Sequence, residues 1–421
     1  MTEHLFPSTS SSAADHRIAA TDSLLGLAVG DAFGAQFFVP ENLPALRERR
    51  LPDGPWPWTD DTEMACSVLS VLREDGSVDP GKLAGRFAEQ QDYGRGYGAA
   101  MLVLLHGVRK GGWWRDLAEG LFDGQGSWGN GAAMRVAPLG AWFAVDPAEA
   151  AWQAARSARA THTHPEAVAG AVAVAVAAAV VRDAVSGHQM IEAAVELTPQ
   201  SKVRDGVAEA LELLDQPYVE LAAHRLGNGR LVSAIDTVPF TLWCAARNLD
   251  DYAAALWDTA SAGGDVDTTC AIVGGILGAR VGAAGIPEQW RAATEVLPQW
   301  LASGPAGGVA ARPFVQAREL PVPELRWTPG QLQRVRDGAG DAKWQARCEG
   351  ERLVVSRASG ERIFELRLDA GAAWVESNRA VYRRGTDAAE TATLELLLDR
   401  FFGHEPRPEL AERQLRLRYG G

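Results

Sequence analysis

Residues 263–279 read GGDVDTTCAIVGGILGA, two glycines and two aspartates running straight into small and apolar residues. Such a run, with no alternation, reads as one helix buried on all sides. Gly274, Gly275 and Gly278 would let neighbouring backbones approach it closely. The pattern recurs outward along the chain. Residues 18–38, 61–73, 132–143, 166–185 and 232–246 are Ala-rich, helix-compatible runs punctuated by Gly, Pro and Asn, and alternating strand patterns are nearly absent before residue 300. Residues 17–302 therefore read as an all-α domain.

The pattern changes beyond it. Residues 303–330 are rich in Gly and Pro and mark a linker. WQARCEG, ERLVVSRAS, ERIFELRLD and AAWVESNRAVYRR then alternate in short runs, as in an antiparallel sheet, and residues 388–402 read as a closing helix. Residues 331–421 are thus a small α+β domain whose role the residues do not reveal. Residues 1–16 are Ser-rich, carry no basic stretch leading into an apolar run, and read as a disordered tail rather than a signal peptide. The fold class is mainly α, followed by a small α+β domain.

Composition bounds the function. With 47% hydrophobic and 23% charged residues among 421, the chain can bury a sizeable core. Its formal charge of −13 argues against a surface that tracks nucleic acid or anionic lipid. The excess acidity lies on residues 1–320, because the remainder is nearly balanced. Cys66, Cys244, Cys270 and Cys348 are far apart with no C-x-x-C pair, which fits a reducing, cytoplasmic setting and argues against structural zinc or a disulfide framework. The apolar stretch 167–181 is too short and too weakly hydrophobic to span a bilayer.

The acidity has a chemical focus. Asp265 and Asp267 stand at the mouth of the helix quoted above, and Trp58-Thr59-Asp60-Asp61-Thr62-Glu63 stands at the mouth of another. Either run alone can be a helix N-cap with acids favoured by the helix dipole. One cap needs only one carboxylate, however, and a second pressed against an apolar helix is costly unless compensated. Asp60, Asp61, Asp265 and Asp267 together offer four carboxylates, beside threonine hydroxyls. Hard oxygen ligands of this kind suit Mg²⁺, Mn²⁺ or Ca²⁺ rather than zinc, and the four carboxylates match the charge of two divalent cations. Two such cations can bind vicinal oxygens, orient a water and stabilise developing negative charge.

A Gly-rich segment, Gly124-Gln125-Gly126-Ser127-Trp128-Gly129-Asn130-Gly131, contains a literal G-x-G-x-x-G, but a helix-like segment precedes it and no βαβ unit surrounds it. It reads either as a plain connecting loop or as a loop that holds a phosphate with backbone N–H groups. Thr161-His162-Thr163-His164-Pro165-Glu166 reads as a helix cap ahead of an N1 proline or, functionally, as a ribose-binding segment.

In this order the elements resemble the ADP-ribosylglycohydrolase family. The likeness runs through GLAVGDAFGA (26–35), WTDDTEMA (58–65), GSWGNGAAMRVAPLG (126–140), THTHPEAV (161–168) and GGDVDTTCAIVGGILGA (263–279). It implies an orthogonal all-α fold around a binuclear Mg²⁺ or Mn²⁺ centre that cleaves the bond between ADP-ribose and a modified protein or other acceptor. Thr59, Asp60, Asp61, Asp265, Asp267 and Thr268 fall on the family's metal ligands. Ser127, Gly129, Asn130 and Gly131 fall on its phosphate and ribose loop, and His162 on its substrate-binding histidine. Asp60, Asp61 and Asp267 are the expected catalytic carboxylates. Trp128, Trp113 and Trp114 could stack on adenine, with core packing expected for at least two of them.

Two positions depart from the family pattern. A glutamate that takes part in hydrolysis is replaced by Phe38, with Glu41 the next carboxylate, and the middle residue of Gly-Gly-Asp-Thr-Asp-Thr is Val266. Phe38 favours one alternative, a catalytically weak ADP-ribose-binding protein that keeps the metal site; a further alternative is a two-metal hydrolase of another N-glycoside or a phosphate ester.

Overall fold

The computed structural model describes residues 13–303 without a break, and beyond them six strands between Ala317 and Glu376 and helical residues at Ala392, 394–398 and Leu410. The chain divides into two compact units, Met1–Arg86 with Gly112–Val296, and Phe87–Gly111 with Leu297–Gly421.

The first unit is helical, and its geometry is set by close contact between two helices. Ala13–Ala35 packs most extensively on Val266–Gly285. Gly26, Gly30 and Gly34 repeat every fourth residue, so they share one face of the first helix. A Cβ at Gly30 would overlap the Cys270 carbonyl, one at Gly34 the Val266 carbonyl, and one at Gly26 the Gly274 carbonyl. Backbones therefore touch along the seam. The packing role expected of Gly274 and Gly278 is met here, against Gly26. Tyr252 reinforces the seam by donating its hydroxyl proton to the Gly26 carbonyl at 2.6 Å.

Both helices are long and apolar enough to cross a membrane, yet 72% of the apolar window in Arg17–Phe38 and 67% of that in Val266–Gly285 is buried within the fold. At the C-terminal end of the first helix, Phe33 stacks on Trp290 with centroids 4.4 Å apart and meets Trp257 edge-on at 4.8 Å. This aromatic cluster fixes the end of the helix that carries Asp31.

The Pro165–Val180 helix is the hub of the remaining packing. Every residue from Ala167 to Val180 is buried, and Pro147–Arg159, Ala137–Trp142, Gly187–Leu197 and Ala234–Arg247 pack around it. The helix is shorter than the expected 166–185, ending before a turn at Arg182 and Asp183. The helix expected over 132–143 is also shorter, Ala137–Trp142, because Pro138 sits in its first turn and a 3₁₀ turn, Asn130–Ala132, precedes it.

In the second unit β1 (Ala317–Leu320), β2 (Ala339–Gly340), β3 (Trp344–Glu349), β4 (Arg352–Arg357), β5 (Arg362–Arg367) and β6 (Ala373–Glu376) form an antiparallel sheet in the order β1-β6-β5-β4-β3-β2. The four strands expected from alternation are β3 to β6. Strand β1 lies inside the segment expected to be a linker, since four residues between Pro-rich flanks show too little alternation to be read as a strand. Helix Ala99–Arg109, which lies within the residues 17–302 expected to be all-α, groups with this unit. Apolar periodicity reports that a segment packs, but not which core it joins. At the N-terminus the helix begins at Ala13, inside the expected tail, and residues 1–12 lie outside the described residues, as do most of 321–343 and 377–421.

Candidate metal centre and substrate loop

The Asp60–Asp75 helix starts where its sequence dictates. Thr59 is extended at the N-cap and its hydroxyl accepts from the Asp61 amide, while Asp60, Asp61 and Glu63 fill the first turn, where the helix dipole favours acids. Capping does not use up the carboxylates. Asp61 is buried, and its Oδ1 has no hydrogen-bond partner among the described residues. The Thr59 hydroxyl lies 2.9 Å from Asp31 Oδ1 and 3.0 Å from Asp61 Oδ2. A hydroxyl has one proton to give, so both contacts are satisfied together only if a proton or a cation sits between the carboxylates.

Asp31 is the member that sequence reasoning missed. It is fully buried, and its Oδ2 accepts from the Thr59 amide at 2.8 Å, the Thr62 amide at 3.1 Å and the Thr62 hydroxyl at 2.6 Å. Asp31 thus completes the cap of the Asp60–Asp75 helix from a different helix. A signal was present in the sequence. One aspartate among Leu24, Leu27, Val29, Ala32 and Phe33, beside Gly30 at the tightest part of the seam, must have polar partners elsewhere in the fold.

The backbone seam brings the second cluster in. Ligand oxygens of Asp31, Asp61 and Asp267 lie within 4.8 Å of one another, all three residues buried. Asp265 and Asp60 flank them half-buried. Burial, then the charge of Asp31, pushes the Asp60 and Asp61 carboxyls well above the usual range; burial, then Asp265, does the same to Asp267. Asp31 is pushed up to about 6 by burial, against the lowering effect of its hydrogen bonds from Thr62 and Thr59. Asp265 is also raised by burial, opposed by hydrogen bonds from Asn130, Asp267 and Thr268. Like charges this close cannot all ionise without a counter-ion, and an oxygen-only donor set with a buried, unpartnered Asp61 oxygen fits a hard divalent cation.

The Gly-rich loop is tied to this cluster through Asn130. Phe122 and Asp123 are held at positive φ, +52° and +58°, ahead of the loop proper. Asn130 donates its side-chain amide to Asp265 Oδ2 at 2.7 Å and to Thr237 Oγ1 at 3.1 Å. The Ser127 hydroxyl accepts from the Gly129 amide. His162 packs against the loop from the other side, where a Cβ on Gly131 would sit 3.0 Å from His162 Nε2 and one on Gly129 3.3 Å. Ser127, Gly129, Asn130, Gly131 and His162 therefore meet in one place.

Burial, then the Arg135 charge, pushes His162 down to about 3, so the ring is neutral. His164, the other histidine of the run, caps the Pro165–Val180 helix by accepting from the Glu166 amide. The cap expected of that run is thus made by His164, while His162 packs on the Gly-rich loop.

Trp128 is 37% exposed and Phe122 45%, with their rings 4.8 Å apart at the edge of the loop. Trp113 is exposed and Trp114 half-buried, which corrects the expectation that two of the three tryptophans pack in the core; their preceding glycines leave that turn at the surface. Phe38 is half-buried at the end of the 3₁₀ turn Gln36–Phe38, which follows the helix bearing Asp31, while Glu41 is exposed in the next turn.

Comparison with known proteins agrees with this geometry. Residues 12–320 match the family model described as ADP-ribosylglycohydrolase. The chain is 31% identical over 278 residues to ADP-ribosylhydrolase ARH3 of Homo sapiens, covering 56% of this chain and 74% of that protein. It is 28% identical over 288 residues to ADP-ribosylarginine hydrolase Tri1 of Pseudomonas putida, covering 64% and 72%. A solved structure described as an ADP-ribosylglycohydrolase-related protein complex superposes with a TM-score of 0.51 at 27% identity, covering 67% of this chain and 94% of that one. With its all-α first unit and its oxygen-lined acidic centre, the chain belongs to the ADP-ribosylglycohydrolase family and is a glycosyl hydrolase.

Proposed function

We propose that this chain hydrolyses the glycosidic bond between ADP-ribose and a modified protein or other acceptor. In this reading Thr59, Asp60, Asp61, Asp265, Asp267 and Thr268, joined by Asp31, hold two divalent cations, Mg²⁺ or Mn²⁺. The observation that carries the reading is the meeting of three buried carboxylates within 4.8 Å, with the Gly-rich loop tied to them through the hydrogen bond from Asn130 to Asp265. Asp31 is held in place for this role by Thr59 and Thr62, whose amides both donate to its Oδ2. When bound, such cations supply Lewis acidity toward substrate oxygens and neutralise the cluster so that a diphosphate can approach it.

The chain's own residues do the rest. The Ser127 hydroxyl accepts from Gly129 N and keeps its proton for a substrate oxygen. His162, neutral and packed on Gly129 and Gly131, meets the ribose or phosphate side of the ligand. Trp128 and Phe122 offer half-exposed ring faces for adenine. Asp60, half-buried beside the carboxylate cluster, is the group that takes a proton from the attacking water. An oxocarbenium-like positive charge at the anomeric carbon is favoured beside so many carboxylates.

The test is release of free ADP-ribose from Arg-, Ser- and nucleobase-linked substrates with Mg²⁺ or Mn²⁺. Turnover that disappears in Asp60→Ala and Asp267→Ala supports the proposal. Phe38 favours a second reading, a weak hydrolase that chiefly binds ADP-ribose. Metal-dependent binding without release from any of the three linkages would select it.

A further inference from the structure

His162 sits at the end of a hydrogen-bonded chain whose direction can be worked out from its donors. Arg135, fully buried, has only protons to give, and its Nη2 donates to Thr161 Oγ1 at 2.8 Å. Thr161 Oγ1 lies 2.7 Å from His162 Nδ1. Thr161 is itself fully buried, and these two are its hydroxyl's partners among the described residues.

Two arrangements exist. If Nδ1 carried the proton, it and Arg135 would both donate to the threonine oxygen, and the hydroxyl proton would be buried with no acceptor. If Nδ1 accepts, each group is satisfied: Arg135 gives to Thr161, Thr161 gives to His162, and the ring proton lies on Nε2. Nε2 is the atom that faces the loop, against Gly129 and Gly131. Arg135 also fixes the other side of the gap, since its Nη1 donates to the Gly131 carbonyl at 2.9 Å.

We infer that Arg135 and Thr161 are positioning residues, whose relay through Thr161 Oγ1 fixes His162 as the Nε2–H tautomer and aims that N–H at an oxygen of the ligand on residues 126–131. The ligand chemistry is that of phosphate and sugar oxygens, which only accept from such a donor. The inference rests on the proposed ADP-ribose reading for the identity of the ligand, but not for the tautomer.

The experiment uses the full-length, Mg²⁺-loaded chain labelled with ¹⁵N-histidine. Two-bond ¹H–¹⁵N correlations report the tautomer without ligand, and the signal among eight histidines is assigned with His162→Gln. Wild type should show a protonated Nε2 and an unprotonated Nδ1. Thr161→Val, which keeps the volume and removes the hydroxyl, should give mixed tautomers and about tenfold weaker ADP-ribose binding, with Mg²⁺ affinity unchanged. Thr161→Ser should restore both. A protonated Nδ1 in wild type would overturn the assignment, and unchanged ADP-ribose affinity in Thr161→Val would overturn the positioning role. If wild type shows the Nε2–H tautomer yet binds no ADP-ribose, the tautomer assignment holds and the proposed function fails.

Discussion

Asn130, in the Gly-rich loop, donates to Asp265 Oδ2 at 2.7 Å, so the loop and the acidic cluster are joined through one short hydrogen bond. The same amide also reaches Thr237 Oγ1, which leaves it committed within the protein. A hydrogen bond to a carboxylate contributes about 1.5–3 kcal/mol. Asn130→Ala should therefore weaken ADP-ribose binding roughly ten- to a hundredfold, and Asn130→Asp, which opposes one carboxylate with another, should weaken metal binding as well. Titration calorimetry with Mn²⁺ and then ADP-ribose would check both, and an Asn130→Asp variant with unaltered metal affinity would count against the coupling.

Contact between the backbones of Ala13–Ala35 and Val266–Gly285 sets the distance between Asp31 and Asp267. Gly30→Ala should lower stability by at least the ~1–3 kcal/mol typical of overpacking, because the new methyl meets the Cys270 carbonyl, a backbone atom of a long helix. Gly85→Ala is the control. Nothing lies within 4 Å of its Cβ position, so helix propensity should make it neutral or slightly stabilising. Thermal melts should place Gly30→Ala below wild type and Gly85→Ala at or above it.

These two sites also show what a sequence can and cannot disclose here. Thr59, Asp61, Asp267 and the loop at Ser127–Asn130 stood out because two acids at the start of an apolar helix, or several glycines in a row, break a local pattern. Asp31 broke its pattern too, but only by its lack of a partner, and that partner is 28 residues away at Thr59. The helices were legible as long Ala-rich runs bounded by Gly, Pro and Asn, whereas the grouping of Ala99–Arg109 with the second unit and the strand at Ala317–Leu320 depend on tertiary contacts that leave no local mark. Trp113 and Trp114 misled because large aromatics are usually buried, and a glycine-led turn instead holds them at the surface.

Asp31 can be tested by a substitution that separates its two roles. Asn keeps a carbonyl oxygen to accept from Thr62 while removing the charge. Without metal, Asp31→Asn should melt at or above the wild-type temperature near pH 7, since it removes one buried negative charge from a crowded cluster. Addition of Mn²⁺ should then raise its melting temperature less than that of wild type. A variant destabilised without metal but with the full Mn²⁺-induced shift would make Asp31 a helix cap alone.

The carboxylates also give a signed dependence on pH. Asp31 has a folded-state value of about 6 against 3.8 in an unfolded chain, and Asp61 and Asp267 are displaced in the same direction. The metal-free folded state therefore binds more protons than the unfolded state. The stability these groups contribute is fully present below 3.8 and is lost as pH rises through about 6 and beyond. A cation competes with those protons, so the Mn²⁺-induced rise in melting temperature should be larger at pH 7.5 than at pH 5. Equal shifts at the two values would contradict the buried cluster as the site of binding.

Hydrolysis of an ADP-ribose linkage at this acidic centre can be read from ADP-ribose release while Mn²⁺ is titrated into metal-free protein. No release should occur without metal, release should rise and saturate near two equivalents per chain on at least one of the Arg-, Ser- or nucleobase-linked substrates, and Asp267→Ala should release none. Release that is undiminished in EDTA, or equal in Asp267→Ala, would contradict hydrolysis at this centre.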